Sequence, residues 1–267
     1  MSTKISVDKF QEGLRTKRLG RKIFFSHEIG STNEWAKELA MLGASEGTVA
    51  LAEIQTAGRG RQGREWISPK GGLYFSVIFK PKLKPDEAVK LVFVASVAVA
   101  EVLRELYGLE VETKWPNDVL VNGRKICGIL SEMNTKNEIV DFVVVGLGVN
   151  ANFDVKEVLP KMLRENATSL MVELDKKIQL EVLFRASLEK LESLYDLFQK
   201  NGFGSILEKW KKHAGFLGKC VEVTGGNEFF VGMALDVEDD GGLTIKLEDG
   251  TIRHVFVGDV SLQRKSK

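Results

Sequence analysis

The sequence predicts an α+β protein with two domains, a mixed domain over residues 1–214 and a small β-barrel over residues 215–267. In the first part, β-rich runs alternate with apolar runs of helical spacing. After Lys219 only short β-rich runs remain, divided by turn signals, which is typical of a small barrel. The turn signals are Gly225-Gly226, Gly241-Gly242 and Asp249-Gly250.

The first half of the larger domain contains three β-rich runs that predict strands: Ile23–His27, Thr48–Ile54 and Leu73–Phe79. Between the first two strands, Ser31 and Glu34 have the spacing of a capping box, which predicts a helix beginning there. Pro85–Tyr107 has a wide apolar face and predicts the longest helix of the chain, largely buried.

A run of strands broken by turns follows, predicted over Val111–Lys114, Val119–Val121, Lys125–Glu132 and Ile139–Leu147. The pair Asn122-Gly123 is a strong signal for a two-residue hairpin. Apolar residues at helical spacing then predict a long helix over Lys176–Lys200 and a short one over Gly204–Lys212.

Composition and charge describe an ordinary soluble protein. The chain is 43% hydrophobic, and its 38 basic residues nearly cancel 37 acidic ones, so no overall field favours nucleic acid or membranes. The longest apolar run, Leu91–Ala100, is too short to span a bilayer, and the charged N-terminus does not resemble a signal peptide. Cys127 and Cys220 have apolar neighbours and are expected to be buried thiols in a reducing compartment. We therefore expect a cytoplasmic protein.

The most informative segment is Thr56–Trp66, which reads TAGRGRQGREW. Glycine lets a backbone approach a ligand closely, and the guanidinium groups of Arg59, Arg61 and Arg64 suit carboxylate and phosphate. An anionic ligand is the expected occupant, and an exposed basic turn is the structural alternative.

The glycines of this segment also match G-x-G-x-x-G, the dinucleotide-binding fingerprint. That motif requires a helix directly after it and an acidic residue about 20 positions further on. Residues Arg64–Gly72 contain Pro69 and two glycines and read as a loop, and Lys82–Lys84 stands where the acidic residue belongs. A nicotinamide cofactor is therefore not expected.

Three further segments carry chemistry: Ser31-Thr32-Asn33, Lys114–Lys125 and Gly146–Asn152. Each also has a structural explanation, because Ser31 can serve only as an N-cap, Trp66 as a core aromatic and Asn150 as a turn residue. It is their joint occurrence, in this order along the chain, that favours a functional site.

With these motifs the sequence resembles the biotin protein ligases. The resemblance rests on IGSTN at Ile29–Asn33, QTAGRGRQGREW at Gln55–Trp66, KWPNDVLVNGRKICGILSE at Lys114–Glu132 and GLGVNAN at Gly146–Asn152, and it extends weakly through the C-terminal module. It implies the class II synthetase-like fold, in which helices lie on one side of a mixed sheet. Because the motifs begin by residue 29, we expect the short form without an N-terminal DNA-binding domain.

The resemblance implies a ligase that joins biotin to a lysine of a biotin carboxyl carrier protein. Biotin and ATP would form biotinyl-5′-AMP and pyrophosphate with the help of Mg²⁺, and the lysine would then displace AMP. The sequence leaves the metal ligands and the identity of the carrier open. The resemblance also implies that a homodimer is a candidate assembly, and neither DNA nor a membrane is an expected partner.

Site residues follow from the motif match. The resemblance implies that biotin is bound by Ser31, Thr32, Asn33, Gln55, Arg59, Gly60, Arg61 and Lys125. It implies that ATP or the adenylate is bound by Arg61, Arg64, Trp66, Lys114, Asn117, Asp118 and Asn150, with Trp66 as a platform for adenine. The expected catalytic residues are Lys125, Arg59, Arg61 and Asp118, and Asp118 either orients Lys125 and the incoming lysine or acts as a general base.

Two alternatives stay open at this point. A lipoate or octanoate ligase or transferase of the same superfamily would share the fold, but those enzymes lack GRGRxGRxW and need no partners for a ureido ring. A non-catalytic nucleic-acid binder would use the arginine loop and the barrel, but the chain is nearly neutral and lacks interleaved aromatic and basic residues.

Overall fold

The computed structural model describes residues 7–225 and 228–263, so Gly226 of the predicted Gly225-Gly226 turn lies outside the described residues. The helices are α1 (Val7–Gln11), α2 (Thr32–Met41), α3 (Pro85–Ala88), α4 (Leu91–Tyr107), α5 (Val155–Val158), α6 (Lys161–Arg164), α7 (Leu170–Leu174), α8 (Leu180–Asn201) and α9 (Phe203–Lys211). The strands are β1 (Ile23–Ile29), β2 (Val49–Gln55), β3 (Leu73–Phe79), β4 (Val111–Lys114), β5 (Asp118–Val121), β6 (Arg124–Lys136), β7 (Ile139–Val149), β8 (Cys220–Gly225), β9 (Glu228–Val237), β10 (Leu243–Leu247), β11 (Ile252–Val255) and β12 (Asp259–Leu262).

A mixed seven-stranded sheet forms the centre of the larger domain, in the order β1-β2-β3-β7-β6-β5-β4. β1 and β2 run parallel, and the remaining neighbours are antiparallel. Every residue of β3 is buried, including Ser76, because helices cover both faces of the central strands. The predicted mixed sheet is confirmed, whereas its helices lie on both faces and not on one side as expected.

Helices α4 and α8 pack together over one face of the sheet, and α2 packs on the opposite face against β2, β3 and β7. The prediction that Pro85–Tyr107 is the longest helix is wrong. The chain turns at Val89-Lys90 and divides this segment into α3 and α4, and α8 is longer, with 22 residues. At the turn, the buried Lys90 ammonium pairs with Glu87 at 2.6 Å, so the apolar face of the predicted helix is interrupted there.

The predicted hairpin at Asn122-Gly123 joins β5 to β6, with positive φ angles of 51° and 71° at its two residues. β5 has only four residues, whereas β6 has 13. Of the residues of β6, only 124–128 pair with β5. The second half of β6 therefore forms an edge next to Asn117, whose side chain donates to the carbonyl of Ile129.

The C-terminal module is a five-stranded antiparallel sheet in the order β11-β10-β9-β8-β12. The predicted small β module is confirmed, although the described strands leave it open between β11 and β12. Its buried residues join the same hydrophobic core as α4 and α9, and the indole of Trp115 donates to the carbonyl of Gly241 at 3.0 Å. The domain boundary at residues 214 and 215 stays a prediction.

Both cysteines are free. Cys127 is buried in β6, and burial raises the pKa of its thiol. The expectation that Cys220 is buried is wrong, because Cys220 begins β8 on its exposed face and contacts Gln263. Within the described ranges, no helix is both long and apolar enough to cross a bilayer.

The segment before β1 is fixed to α8 by one carboxylate. Glu192 accepts hydrogen bonds from the backbone N–H groups of Lys17, Arg18 and Leu19 at 2.5, 2.7 and 2.9 Å. Burial by itself would raise the pKa of the Glu192 carboxyl, but the three donors together hold it below the ordinary value. Its contribution to stability is therefore present in full above the ordinary glutamate pKa and is lost as the pH falls.

We predict that Glu192→Gln lowers the free energy of unfolding at pH 7 by about 2 kcal/mol, because hydrogen bonds to a charged acceptor are replaced. Urea unfolding measures this loss, which should shrink as the pH falls toward 4. The control is Glu189→Gln, which removes an exposed pair with Arg15 one turn away and should have a much smaller effect. Equal losses in the two variants would contradict the prediction.

Candidate active site

One cavity of about 240 Å³ opens between the sheet, the arginine loop (residues 58–66) and the C-terminal module. It is lined by every predicted site residue except Lys114, namely Ser31, Thr32, Asn33, Gln55, Arg59, Gly60, Arg61, Arg64, Trp66, Asn117, Asp118, Lys125 and Asn150. The remaining lining residues were not predicted as site residues, and they are Glu65, Ile67, Gly128, Ile129, Leu130, Gly146, Leu147, Gly148, Leu159, Leu163, Asn166, Ala167 and Asp259.

The start of α2 forms a neutral, hydrogen-bonding wall. Gln55 Oε1 accepts from the backbone N–H and the hydroxyl of Thr32 at 2.8 and 3.0 Å, and Gln55 Nε2 donates to Ser68 Oγ at 2.8 Å. The capping box predicted at Ser31 is wrong, because the Ser31 hydroxyl makes no capping bond and Glu34 pairs with basic side chains. The Ser31 hydroxyl is left at the cavity wall.

Asn33 lies deeper in this wall and is 4% exposed. Its Nδ2 donates to Glu132 Oε2 at 2.8 Å and to the carbonyl of Leu130 at 3.2 Å. Its Oδ1 accepts from Ser76 Oγ at 2.6 Å. The amide is therefore engaged by the protein itself, and direct binding of biotin by Asn33 stays a prediction.

The arginine loop closes on itself as a small hairpin. The N–H of Gly60 donates to the carbonyl of Arg64 at 2.6 Å, and the N–H of Trp66 donates to the carbonyl of Gly58 at 2.9 Å. A single 3-10 turn over Arg61–Gly63 lies at its tip. This short turn stands where a dinucleotide-binding motif would begin a helix, so the exclusion of that motif is confirmed.

The three arginines of the loop have different partners. Arg59 pairs with Glu34 and with Glu132. Arg61 Nη1 donates to the carbonyl of Gly258 at 3.1 Å, and Arg64 pairs with Asp259 at 2.7 Å. The C-terminal module thus contributes a carboxylate to the cationic end of the cavity, although its sequence contains no cluster of catalytic residue types.

Lys125 and Asp118 form an ion pair at the cationic end, and their catalytic roles stay predictions. Lys125 Nζ lies 2.6 Å from Asp118 Oδ1 and 5.2 Å from the ring centre of Trp66. Lys114 lies outside the cavity lining but close to this pair. Burial lowers the pKa of Lys114, the positive charge of Lys125 lowers it further, and Asp118 opposes the shift.

Trp66 lies against strand positions that have no side chain. A Cβ atom at Gly148 would lie 2.3 Å from Trp66 Nε1, and one at Gly128 would lie 3.0 Å from Trp66 Cζ3. The buried Nε1 has no hydrogen-bond partner among the described residues, so it is free to donate to a ligand. Trp66 as a platform for adenine stays a prediction.

A cover segment, residues 155–168, closes the cavity from the outside with Leu159, Leu163 and Asn166. The backbone N–H of Lys125 donates to the carbonyl of Asn166 at 2.8 Å, and the N–H of Thr168 donates to the carbonyl of Lys125 at 2.9 Å. Asn150 Nδ2 also donates to the carbonyl of Thr168 at 3.0 Å. Asn150 therefore fixes the cover, and its contact with a nucleotide stays a prediction.

Some of the unpredicted lining residues had a signal in the sequence. Gly146 and Gly148 are two positions apart in a strongly β-forming run, so they share one face of a strand. The sequence therefore predicts that this face lacks side chains at two neighbouring positions. Asp259 had no such signal, because its position depends on long-range packing. No cluster of three potential metal ligands occurs in the part of the chain that the structure describes.

Comparisons with known proteins agree with this geometry. Residues 26–150 match the Biotin/lipoate A/B protein ligase family, and residues 216–263 match the Biotin protein ligase C terminal domain. The chain is similar to the bifunctional ligase/repressor BirA of Bacillus subtilis, with 34% identity over 260 residues, 97% of this chain and 79% of that protein. It is also 31% identical to the biotin–[acetyl-CoA-carboxylase] ligase of Paracoccus denitrificans, over 81% of this chain and 90% of that protein.

Solved structures give the same result. The biotin protein ligase of Aquifex aeolicus in complex with biotin and ATP superimposes with a TM-score of 0.77 and 30% identity, over 92% of this chain and 100% of that chain. The Leishmania major enzyme in complex with biotinyl-5-AMP has a TM-score of 0.62 and 26% identity, over 89% of this chain and 99% of that chain. The chain belongs to the biotin protein ligase family.

Proposed function

We propose that this protein is an ATP-dependent ligase that activates biotin as biotinyl-5′-AMP and transfers it to a lysine of a biotin carboxyl carrier protein. One observation carries the proposal. A single cavity has a neutral hydrogen-bonding wall at one end and Arg61, Arg64 and Lys125 at the other. Such a cavity suits a ligand with a polar neutral head, an apolar chain and an anionic tail, and biotin has these three parts in this order.

The neutral wall is the proposed site of the ureido ring, which presents one carbonyl and two N–H groups. Ser31, Thr32 and Gln55 offer hydroxyl and amide groups at this wall. Apolar residues also line the cavity, among them Ile129, Leu130 and Leu147, and the valeryl chain is proposed to lie against them. The resulting pose directs the biotin carboxylate toward Lys125.

The first step joins two anions, so the field at the cationic end is the main contribution of the protein. The biotin carboxylate attacks the α-phosphorus of ATP, and pyrophosphate leaves. Arg61, Arg64 and Lys125 reduce the repulsion between carboxylate and triphosphate and stabilise the additional negative charge of the transition state. Asp118 positions the Lys125 ammonium through their 2.6 Å ion pair.

Magnesium is proposed to enter with the nucleotide. A site built from protein ligands alone does not fit, because the described residues contain no cluster of three potential metal ligands. Mg²⁺ bound chiefly by phosphate oxygens needs only one or two carboxylates, and Asp118 and Asp259 line the cavity. When bound, the ion would neutralise charge on the leaving pyrophosphate.

The second step needs a route for the carrier lysine. A cleft of about 660 Å³ between the larger domain and the C-terminal module shares Arg61, Asn117 and Ile129 with the cavity. Asp86 and Asp240 line this cleft together with Lys90 and Arg61, so acidic and basic groups balance there. We place the lysine approach here. Its nitrogen attacks the acyl carbon of the mixed anhydride, loses a proton and displaces AMP.

The lipoate alternative is disfavoured by the same wall. A dithiolane ring makes no hydrogen bonds of the kind that this wall of hydroxyl and amide groups offers, and these groups bond to one another without a ligand. The match of residues 216–263 to the biotin protein ligase C-terminal domain also supports biotin. The test is mass spectrometry of a carrier domain incubated with the protein and Mg-ATP. Biotin should add one biotinyl group to one lysine, and lipoate should add nothing.

Three features of the setting are also proposals. The near balance of 38 basic and 37 acidic residues favours action without DNA and residence in the cytoplasm.

The unpaired edge of β6 is a surface through which a homodimer can form by strand pairing. Analytical ultracentrifugation with and without biotin and ATP tests this assembly.

We predict that Lys125→Ala slows biotin-dependent pyrophosphate exchange at least 100-fold and weakens biotin binding less than tenfold. The physical reason is that the ammonium stabilises charge that develops in the transition state. Exchange assays and calorimetry measure the two effects. Lys70→Ala, at an exposed lysine paired with Glu53, is the control and should match the wild type. Exchange at the wild-type rate in Lys125→Ala would refute the role.

We predict that Gly148→Ala displaces Trp66 and lowers biotin affinity at least tenfold, because the new Cβ would lie 2.3 Å from the indole nitrogen. Calorimetry and the fluorescence of the displaced tryptophan measure the change. Gly204→Ala is the matched control, because a Cβ there meets no atom within 4 Å. Unchanged affinity in folded Gly148→Ala would show that Trp66 does not form the pocket.

A further inference from the structure

One carboxylate contacts both the wall of the cavity and the arginine loop. Glu132 lies on β6, and its side chain is 19% exposed. Its Oε2 accepts from Asn33 Nδ2 at 2.8 Å. Its Oε1 lies 2.6 Å from Lys37 Nζ and 3.4 Å from Arg59 Nη2. Three separate parts of the chain, namely α2, the loop and β6, therefore meet at this one group.

On the cavity side, Glu132 and the carbonyl of Leu130 together determine which way the Asn33 amide faces. An ionised carboxylate can only accept hydrogen bonds, so it requires the NH₂ group of Asn33 and leaves Oδ1 for Ser76. Ser76 Oγ lies 2.8 Å from the hydroxyl of Thr32, which donates in turn to Gln55. Since the Ser76 proton goes to Asn33 and the Thr32 proton goes to Gln55, the order that begins at Glu132 extends through Asn33 to Ser76, behind the wall.

On the loop side, Glu132 and Glu34 are the anchors of Arg59. The hydrogen bonds that close the loop are internal to it, so they fix its shape but not its position over the cavity. Its position depends on Trp66, whose ring packs against Gly128 and Gly148, and on the arginines: Arg59 pairs with the two carboxylates, and Arg61 and Arg64 contact the C-terminal module. Loss of the Arg59 anchor frees the end that lies next to the biotin wall.

We propose that Glu132 is a positioning residue that couples biotin recognition to retention of the acyl-adenylate. It orders the Asn33 amide and its Ser76 partner, which lie next to Thr32 in the wall, and at the same time contributes to holding the arginine loop over the cavity through Arg59. This inference rests on the proposed function and adds the residue that links its two requirements. A loop that leaves the cavity would expose the mixed anhydride to water and to unrelated lysines.

The charge on Glu132 fits this role. Burial by itself would raise the pKa of its carboxyl, but Lys37, Asn33 and Arg59 together hold it below the ordinary value. Glu132 is therefore ionised at neutral pH, and its carboxylate can only accept hydrogen bonds from Asn33, Lys37 and Arg59.

Three substitutions separate the two contacts. Glu132→Gln keeps the shape but removes the charge and offers an NH₂ group to the NH₂ group of Asn33. Glu34→Gln weakens the Arg59 anchor without touching Asn33, because Glu34 pairs only with Arg59 and Lys37 among the contacts above. Ser76→Ala disturbs the Asn33 amide without touching Arg59. Each variant is checked first for a cooperative thermal melt.

Three measurements give the readouts. Two of them need no ATP, and the third follows the reaction with biotin and ATP. Calorimetry measures biotin affinity, and the rate of trypsin cleavage after Arg61 and Arg64 reports opening of the loop. Release of biotinyl-AMP from the enzyme, measured as labelling of an unrelated bystander protein, reports retention. We expect Glu132→Gln to lower biotin affinity about tenfold, since it weakens a hydrogen bond to a charged group, and to raise cleavage and bystander labelling several-fold.

The other two variants should each show half of this phenotype. Glu34→Gln should raise cleavage and bystander labelling with unchanged biotin affinity, and Ser76→Ala should lower affinity with an unchanged cleavage rate. The proposal is overturned if folded Glu132→Gln shows only one of the two effects, or if it lowers only the melting temperature. If the wild-type protein labels no carrier, the proposed function fails, whereas the cleavage comparison still decides whether Glu132 anchors the loop.

Discussion

The site depends on close packing against strand positions that have no side chain. A Cβ at Gly146 would overlap the amide oxygen of Asn33, and Cβ atoms at Gly128 and Gly148 would meet the ring of Trp66. Because these glycines lie on adjacent central strands, β6 and β7, their missing side chains form one depression in an otherwise filled sheet face. Asn33 and Trp66 occupy the edges of that depression, and the remaining space is the cavity. Folding of the sheet therefore creates the pocket without any separate ligand-binding domain.

Around this depression, charge is distributed so that one end of the cavity is neutral and the other is cationic. The acidic partners are as important as the arginines, because each guanidinium group is directed by a carboxylate on a different element. Glu132 on β6 holds Arg59, and Asp259 on β12 holds Arg64. A glycine-rich loop would otherwise sample many conformations at little energetic cost. The loop is thus positioned by ion pairs at its two ends, and both pairs lie close enough to the cavity to respond to an anionic ligand.

The C-terminal module and the cover segment make the site a product of the whole chain. The carbonyl of Gly258 accepts from Arg61, and the indole of Trp115 donates to Gly241, so the two domains meet where the phosphates of a nucleotide would lie. The cover segment is bonded to the backbone of Lys125 on both sides. Any movement of the cover therefore reaches Lys125, the lysine proposed to serve the first chemical step, and any movement of the module reaches Arg61. This arrangement gives a physical reason for the ligase to keep both domains in one continuous core.

The sequence by itself determined the sheet, the hairpin at Asn122-Gly123 and the residues that meet in the cavity, because these depend on local periodicity, turn chemistry and motifs of specific spacing. The capping box expected at Ser31–Glu34 did not form. The Glu34 carboxylate pairs instead with Lys37, three residues further along the same helix, and with Arg59 of the arginine loop. Only the tertiary structure decided which carboxylate holds which arginine, that Asn33 is engaged within the wall, and that Asp259 reaches the site from the second domain. These pairings join residues tens to hundreds of positions apart, and their energy depends on distance and burial, which no local pattern records.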